Sequence, residues 1–138
     1  MITESSQQPE MGDLRDPFAY LYPYEFVLLT TFRKSGLSVP TAMWFAQEQG
    51  KLYMVTGRNS GKIKRIRNGG RVLLAPCDMM GHMLGPEIEA SAHELPADQH
   101  AHANVVLAEK YGQEYEGDGS GGDDGYEETF IEIEPVQA

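Results

Sequence analysis

The sequence predicts a mainly β protein with short helices, in which about six antiparallel strands curl into a barrel. Short apolar, β-branched runs follow one another through turn residues, as strands joined by hairpins do. The alternation of strands with long helices that is typical of parallel sheets is missing, and there is no internal repeat. Six antiparallel strands close more readily as a barrel than they persist as a flat sheet. The length, 138 residues, fits one domain.

The first half of the chain predicts a short helix followed by a three-stranded meander. Residues 1–12 are polar and aperiodic, which predicts a disordered N-terminal arm and leaves 13–138 as a single domain. Asp16 and Pro17 are suited to begin a helix that ends near Tyr22. The predicted strands cover 25–32, 37–46 and 52–56, with turns at Ser35-Gly36 and Gly50.

The second half predicts two more helices and three more strands. Ser60 caps a helix whose narrow apolar stripe is Ile63 and Ile66 and which ends at Gly69-Gly70. Strands are predicted at 71–77, 82–95 and 130–136, and a helix is predicted at 97–111. The last strand is expected to be half-exposed, because apolar and acidic residues alternate along it. Residues 116–125 contain five glycines and no apolar side chain, which predicts a flexible loop.

Charge is distributed unevenly along the chain. The net charge is -10, yet seven of the eleven basic residues lie in 51–71, where there is no acid, and 113–138 contain nine acids and no base. An acidic protein with one compact basic cluster is a poor general nucleic-acid binder, because phosphate contacts dominate that affinity. The pattern favours binding of one small polyanion and argues against a nucleic-acid partner.

A loop inside the basic cluster is the strongest candidate for an anion site. A strand ends at Thr56, a Gly/Asn/Ser loop follows, and a helix begins after Ser60, so that free N–H groups and the helix dipole favour a phosphate. The spacing matches neither a Walker P-loop nor a dinucleotide fingerprint. The alternative, a solvated basic helix with a serine cap, stays open. The charged or polar residues of this segment are Arg58, Ser60, Lys62, Lys64 and Arg65.

Other chemistry-bearing residues give weaker signals. Trp44, the single tryptophan, either stacks on a planar ligand or packs under a helix. His100 and His102 are two residues apart on a helix and point to different faces, and His82 and His93 are far apart, so no metal site is predicted. The single cysteine, Cys77, is expected to be buried and inert. No catalytic side chain can be identified from these residues.

The sequence also favours a cytoplasmic protein without a membrane partner. No apolar run has the ~18 residues that a membrane-spanning helix needs. The N-terminus has neither the basic start nor the apolar stretch of a signal peptide. One cysteine excludes an internal disulfide, as is usual for cytosolic proteins.

Six segments in order resemble the flavin/deazaflavin oxidoreductases of the pyridoxamine 5'-phosphate oxidase-like superfamily, and most of all their coenzyme F-420-dependent branch. The segments are FVLLTTFRKSG, VPTAMWFA, GKLYMVTG, NSGKIKRIRN, RVLLAPCD and MLGPEIEASAHEL, within about residues 25–112. The resemblance implies a six-stranded antiparallel split β-barrel of the FMN-binding type. It also implies a homodimer with two equivalent cofactor grooves between the subunits.

The resemblance assigns roles to individual positions. It implies that Ser60, Gly61 and Lys62 cradle the cofactor's phosphate, with Lys64 and Arg65 nearby. Thr56 and Gly57 would border the ring or its ribityl chain. The strand along the tricyclic ring would be Pro40, Thr41, Ala42, Met43 and Trp44. This chain departs from the family's sequence in two places. Residues 88–92 read IEASA, where the family often has VEGTA, and the acidic glycine-rich loop at 116–125 resembles an insertion.

The function implied is transfer of a hydride from reduced coenzyme F-420 to a small conjugated organic acceptor. The cofactor supplies this chemistry, which agrees with the lack of a protein nucleophile. Two alternatives stay open: an FMN-binding reductase or oxidase of the same fold, and a non-catalytic protein that binds a cofactor or haem.

Overall fold

The computed structural model describes residues 16–112 and 127–136. The predicted arm at 1–12 and the predicted flexible loop at 116–125 lie outside these residues. The described residues contain two α-helices, α1 (Gly61–Asn68) and α2 (His100–Tyr111), and 3-10 turns at Ala19–Leu21 and Ala97–Gln99. The strands are β1 (Phe26–Phe32), β2 (Ser38–Trp44), β3 (Ala46–Glu48), β4 (Lys51–Gly57), β5 (Arg71–Cys77), β6 (Ile88–Glu94) and β7 (Glu128–Pro135).

The strands form one curled antiparallel sheet in the order β2-β1-β5-β6-β7-β4-β3. The two edge strands, β2 and β3, are consecutive in the chain and are separated only by Phe45. Because the chain passes directly from one edge to the other, the sheet curls until β2 lies close to β4. The result is a half-barrel, which confirms the predicted mainly β, split-barrel architecture.

The prediction of six strands is wrong by one. The run predicted as a single strand over 37–46 is divided at Phe45, whose side chain is fully buried. The N–H and C=O of Phe45 bond to the Tyr111 hydroxyl of α2, at 2.8 and 2.7 Å, and not to a neighbouring strand. This long-range contact gives a seventh strand, and local sequence carries no signal of it.

Two further predictions about strands need correction. The strand predicted over 82–95 begins only at Ile88, because Gly81 with φ 89°, Gly85 and Pro86 interrupt the ladder. The final strand is not half-exposed: β7 lies between β6 and β4, and its residues 129–133 are all buried. Glu132, an acid in that buried stretch, contacts Lys51 and His93 at 3.3 and 3.1 Å.

The core has two parts, on opposite faces of the sheet. Inside the half-barrel, Val27, Leu29 and Leu74 pack with Ile63 and Ile66 of α1, which confirms the predicted stripe. Outside it, α2 covers a second cluster of Ala46, Tyr53, Leu95, Ala103, Val106, Leu107, Tyr111 and Phe130. Alternation along β4 supplies both parts, since Leu52 faces in and Tyr53 faces α2. The helix boundaries at Ser60, Gly69 and Gly112 are as predicted.

Candidate functional site

A gap in the sheet separates the outer edge of β2 from the end of β4. β3 pairs with β4 only from Ala46 opposite Tyr53 to Glu48 opposite Lys51. β2 continues from Phe45 but diverges, and among the described residues no strand pairs with its outer edge or with the corresponding edge of Met54–Gly57. We call the gap between 40–44 and 54–57 the seam groove. Its walls carry backbone N–H and C=O groups that a ligand can use.

At the end of β4 the seam groove meets a cavity of about 410 Å³ at the beginning of α1, which we call the anion corner. The N–H groups of a helix's first turn lack intrahelical partners, and the helix dipole makes this end positive. The Ser60 hydroxyl accepts the N–H of Ile63 at 3.3 Å, so it both caps α1 and fixes its own position. The lining residues are Thr56, Gly57, Arg58, Asn59, Ser60, Lys62 and Glu127.

Of the basic residues that line the anion corner, Lys62 is the one whose positive charge a bound anion would stabilise most. Its side chain is about half buried, and this burial, followed by the charge of Arg65, lowers the pKa of Lys62 below its ordinary value. A bound anion would offset both effects. By contrast, Arg58 forms an ion pair with Glu127 at 3.2 Å and donates its N–H to the Glu127 carbonyl at 2.7 Å.

Glu127 is the residue of the corner that sequence reasoning missed. It precedes β7, and the register of β4 with β7, Gly57 opposite Glu128, places it beside Arg58. The two residues are 69 positions apart in the sequence. Only strand pairing brings them together, because in the sequence Glu127 belongs to the acidic run of 113–138, far from the basic cluster.

The remaining basic residues predicted for the phosphate site do not line the anion corner, although Arg65 lies close enough to it to lower the pKa of Lys62. Lys64 is exposed on α1 and does not line the anion corner. Arg65 turns back over Gly61: a Cβ at Gly61 would lie 2.8 Å from its Nη1. Its Nε donates to Thr31 Oγ1 at 2.7 Å, and its side chain lines a different cavity. The structure therefore brings together Thr56, Gly57, Arg58, Ser60 and Lys62, but not Lys64 and Arg65, in the anion corner.

The strand predicted to follow a tricyclic ring, Pro40–Trp44, is the wall of the seam groove opposite β4. Pro40 is exposed, Thr41, Ala42 and Trp44 are partly exposed, and Met43 is buried in the core. Met43 can therefore offer its backbone but not its side chain to a ligand. Trp44 packs against a helix, since its ring stacks on Tyr111 at 4.3 Å with an interplanar angle of 6°.

Trp44 also lines a largely apolar cavity of about 650 Å³ beside the end of β2. Phe26 lies 6.5 Å from it, ring centroid to ring centroid, and Met79 and Leu84 come from the segment between β5 and β6. That segment exposes more than half of each of its large apolar side chains, Met79, Met80, Met83 and Leu84. An apolar surface next to an open seam is suited to a planar organic molecule or to a second protein surface.

The titratable residues most often used in metal or nucleophilic chemistry are engaged elsewhere. His82 contacts Asp78 at 3.1 Å, His93 contacts Glu132 at 3.1 Å, and His100 bonds to the Leu95 carbonyl at 2.9 Å. Within residues 16–112 and 127–136, no three histidine, cysteine or acidic side chains form a group suited to a metal ion. Cys77 is buried, and burial raises the pKa of its thiol, so it is a poor nucleophile.

No helix in the described part of the chain has the length and apolar character to cross a bilayer.

Comparison with known proteins identifies relatives of the whole fold. The model of a family described as pyridoxamine 5'-phosphate oxidase matches residues 20–138. No protein with a curated function matches the chain.

Three solved structures illustrate the range of proteins that share the fold. An F420 reductase is 19% identical, with 86% of this chain and 92% of that chain covered and a TM-score of 0.60. The haem storage protein HutZ from Vibrio cholerae is 13% identical, with 83% of both chains covered and a TM-score of 0.63. A FAD-binding protein from Mesorhizobium loti is 16% identical, with 85% and 83% covered and a TM-score of 0.58. At these identities the likeness concerns the fold.

Proposed function

Because the chain belongs to the pyridoxamine 5'-phosphate oxidase family, we propose that it is an oxidoreductase that transfers a hydride from reduced coenzyme F-420 to a small conjugated organic acceptor. The observation that carries the proposal is the continuity of the anion corner with the seam groove. A tricyclic redox cofactor with a phosphate on its side chain needs a cationic end of the site for the phosphate and an extended polar wall for the ring. The similarity to an F420 reductase supports the choice of cofactor.

The residues of the anion corner fit the phosphate. Lys62 supplies a half-buried charge beside the beginning of α1, and Ser60 supplies a hydroxyl that the cap already orients. Thr56 Oγ1 lies 3.5 Å from Ser60 Oγ, so the two hydroxyls form one polar edge. Arg58 lies at the rim of the corner and offers further N–H donors, although its charge is paired with that of Glu127. These residues would bind and orient the phosphate and need not take part in chemistry.

The walls of the seam groove fit the ring. Backbone groups of Thr41–Trp44 would hydrogen-bond its polar edge, and Gly57 leaves room for the ribityl chain at the end of β4. The cofactor supplies the hydride, so this chain's task is to hold the ring, expose one face to the acceptor and exclude water. The apolar cavity beside Trp44 is suited to receive an apolar, conjugated acceptor.

We further propose that two chains form a homodimer in the cytoplasm. The large apolar side chains exposed by the segment between β5 and β6, Met79, Met80, Met83 and Leu84, form a surface that a second copy would cover. Sedimentation velocity at micromolar concentration would show a species of twice the 15.3 kDa chain mass. A 15.3 kDa species would contradict the dimer.

FMN is the strongest alternative cofactor, because it joins a tricyclic ring to a terminal phosphate through the same kind of chain. The similarity to a FAD-binding protein supports it. The similarity to a haem storage protein supports a third possibility, a carrier without turnover.

A titration monitored by tryptophan fluorescence distinguishes the three. Trp44, the single tryptophan, lies in the wall of the seam groove, so a bound chromophore will quench it. We expect saturable quenching by coenzyme F-420 at lower concentrations than by FMN or haemin. Tighter binding of FMN would reverse the choice of cofactor. Tight F-420 binding without reduction of any quinone or enone in a test panel would instead indicate a carrier.

A further inference from the structure

A second cationic cavity lies on the other side of α1, and we propose that it binds a small polyanion that carries two or more carboxylate or phosphate groups. It has a volume of about 490 Å³, and we call it the basic pocket. Its charged lining residues are Arg33, Lys34, Arg65 and Arg71. Asn68 and the backbone of Gly69 and Gly70 complete one side of it. The proposal does not depend on the cofactor or on the proposed reaction.

The concentration of positive charge in this pocket is exceptional for the molecule. The chain has a net charge of -10, yet four of its eleven basic residues line this cavity and no described carboxylate does. Like charges held around one cavity repel one another, and the repulsion grows as the cavity excludes water. Such a cluster lowers the stability of the empty protein, and an anion with several charged groups relieves it.

Two of the four bases are fixed in the wall by their contacts: Arg65 by a neutral hydroxyl, and Arg71 by a ring and by an ion pair with Glu89 that compensates part of its charge. Arg65 donates from Nε to Thr31 Oγ1 at 2.7 Å. The Arg71 guanidinium lies 4.7 Å from the centroid of the Phe32 ring, and its Nε is 3.0 Å from Glu89 outside the pocket. Groups that are already ordered lose little entropy when a ligand binds. The Phe32 ring also gives the pocket an apolar surface beside its charges.

The other two bases, Arg33 and Lys34, occupy the turn between β1 and β2. Gly36 at φ 95° closes this turn, and the Arg33 N–H donates to the Leu37 carbonyl at 2.9 Å. Both side chains are exposed, and neither forms an ion pair with a described residue. They are therefore free to close on a ligand that the fixed arginines hold.

The size and shape of the pocket favour a small molecule over a nucleic acid. A concave cavity of this volume encloses a ligand of metabolite size, whereas a duplex needs a basic surface many residues long. The acidic remainder of the chain would repel such a long polyanion. Citrate and pyrophosphate are suitable probes because they present the two possible oxyanions at similar size.

The test is calorimetric titration of the full chain with citrate and with pyrophosphate, each compared with sodium chloride at equal ionic strength. We expect saturable binding of at least one probe, with affinity reduced about tenfold or more in Arg33→Gln and in Lys34→Gln, the effect of losing one charge-assisted hydrogen bond. Lys64→Gln, which removes the same charge from an exposed position outside the pocket, is the control and should change affinity less than about twofold.

Further measurements locate the binding and keep the proposal falsifiable. Lys62→Ala should leave a binding component intact, since Lys62 lines the anion corner and not the basic pocket. Amide NMR shifts of Gly69 and Gly70 should move with the probe. Loss of all binding in Lys62→Ala, a binding heat with sodium chloride equal to that with the probes, or tighter binding of a duplex oligonucleotide than of either probe would each overturn the proposal.

Discussion

The hydroxyl of Tyr111 bonds to both backbone groups of Phe45, the residue at which the sheet passes from one edge strand to the other. It accepts the Phe45 N–H at 2.8 Å, and the carbonyl oxygens of Phe45 and Glu25, 2.7 and 2.8 Å from the hydroxyl oxygen, are the acceptors for its O–H. These bonds replace the strand pairing that Phe45 lacks. The division of β2 from β3, and with it one end of the seam groove, therefore depends on a side chain of α2.

We expect Tyr111→Phe to lower the free energy of unfolding by about 1–3 kcal/mol, because the fully buried Phe45 N–H would be left without an acceptor. The aromatic stack on Trp44 is retained in this variant. Urea denaturation monitored by circular dichroism measures the change. Tyr20→Phe, which removes one exposed bond to the Pro86 carbonyl, is the control and should cost less. Equal effects in the two variants would contradict the role of Tyr111.

We expect Lys62→Ala to weaken binding of the preferred cofactor by roughly 1.5–3 kcal/mol, the range of a charge-assisted hydrogen bond. The fold should persist, since Lys62 belongs to neither core cluster. Equilibrium titration monitored by Trp44 fluorescence gives the dissociation constant. Lys64→Ala changes the net charge equally from an exposed position and should have a smaller effect. An unchanged dissociation constant in Lys62→Ala would remove this residue from the phosphate site.

We expect Gly70→Ala to be destabilising by about 1–3 kcal/mol, the usual cost of forcing extra atoms into a packed site. A Cβ at Gly70 would lie 2.5 Å from the Ala92 carbonyl oxygen. The backbone cannot yield easily, because the Gly70 carbonyl accepts the Ala92 N–H at 2.7 Å. Gly69→Ala is a matched control, since a Cβ there meets nothing within 4 Å and its φ of -170° suits any residue. Thermal melts of the two variants should differ clearly, and similar melting temperatures would refute this explanation.

We expect Lys110 to make the protein more stable as the pH rises from about 8 toward 10.5. Burial lowers the pKa of Lys110 to about 8, although Glu25 opposes the shift. Its Nζ lies 3.5 Å from the centroid of the Phe45 ring and donates to the Tyr24 carbonyl at 3.0 Å. Between the two pKa values the unfolded chain binds more protons than the native chain, so rising pH favours the native state.

The measurement for Lys110 is a comparison of urea midpoints at pH 7.5 and pH 10 in the wild type and in Lys110→Met. Lys62 titrates in the same window, because its pKa is also lowered, whereas the raised pKa of Lys51 acts above pH 10.5 and in the opposite direction. The contribution of Lys110 is the difference between the two proteins in how the urea midpoint changes with pH. We expect the midpoint to rise more from pH 7.5 to pH 10 in the wild type than in Lys110→Met. Equal changes in the two proteins would contradict the assignment.

The sequence predicted most elements of the fold because their signals are local. Ser60 and Gly69 mark the two ends of α1, and Ile63 and Ile66 mark its buried face within eight residues. The anion corner was predictable for the same reason, since Thr56 to Lys62 is one continuous loop between a strand and a helix. Gly36 likewise indicates the turn between β1 and β2, and its φ of 95° in the structure is one that glycine adopts readily.

What the sequence by itself determined is therefore the identity of most segments and the polar and basic residues of one contiguous candidate site. The tertiary structure decided which distant residues meet. It placed Glu127 beside Arg58, brought Arg65 into contact with Thr31 of β1, and placed Arg33 and Lys34 beside the end of α1. Caps and turns are set by neighbours in the chain, whereas these contacts depend on strand register and on the curl of the whole sheet, which no local pattern encodes.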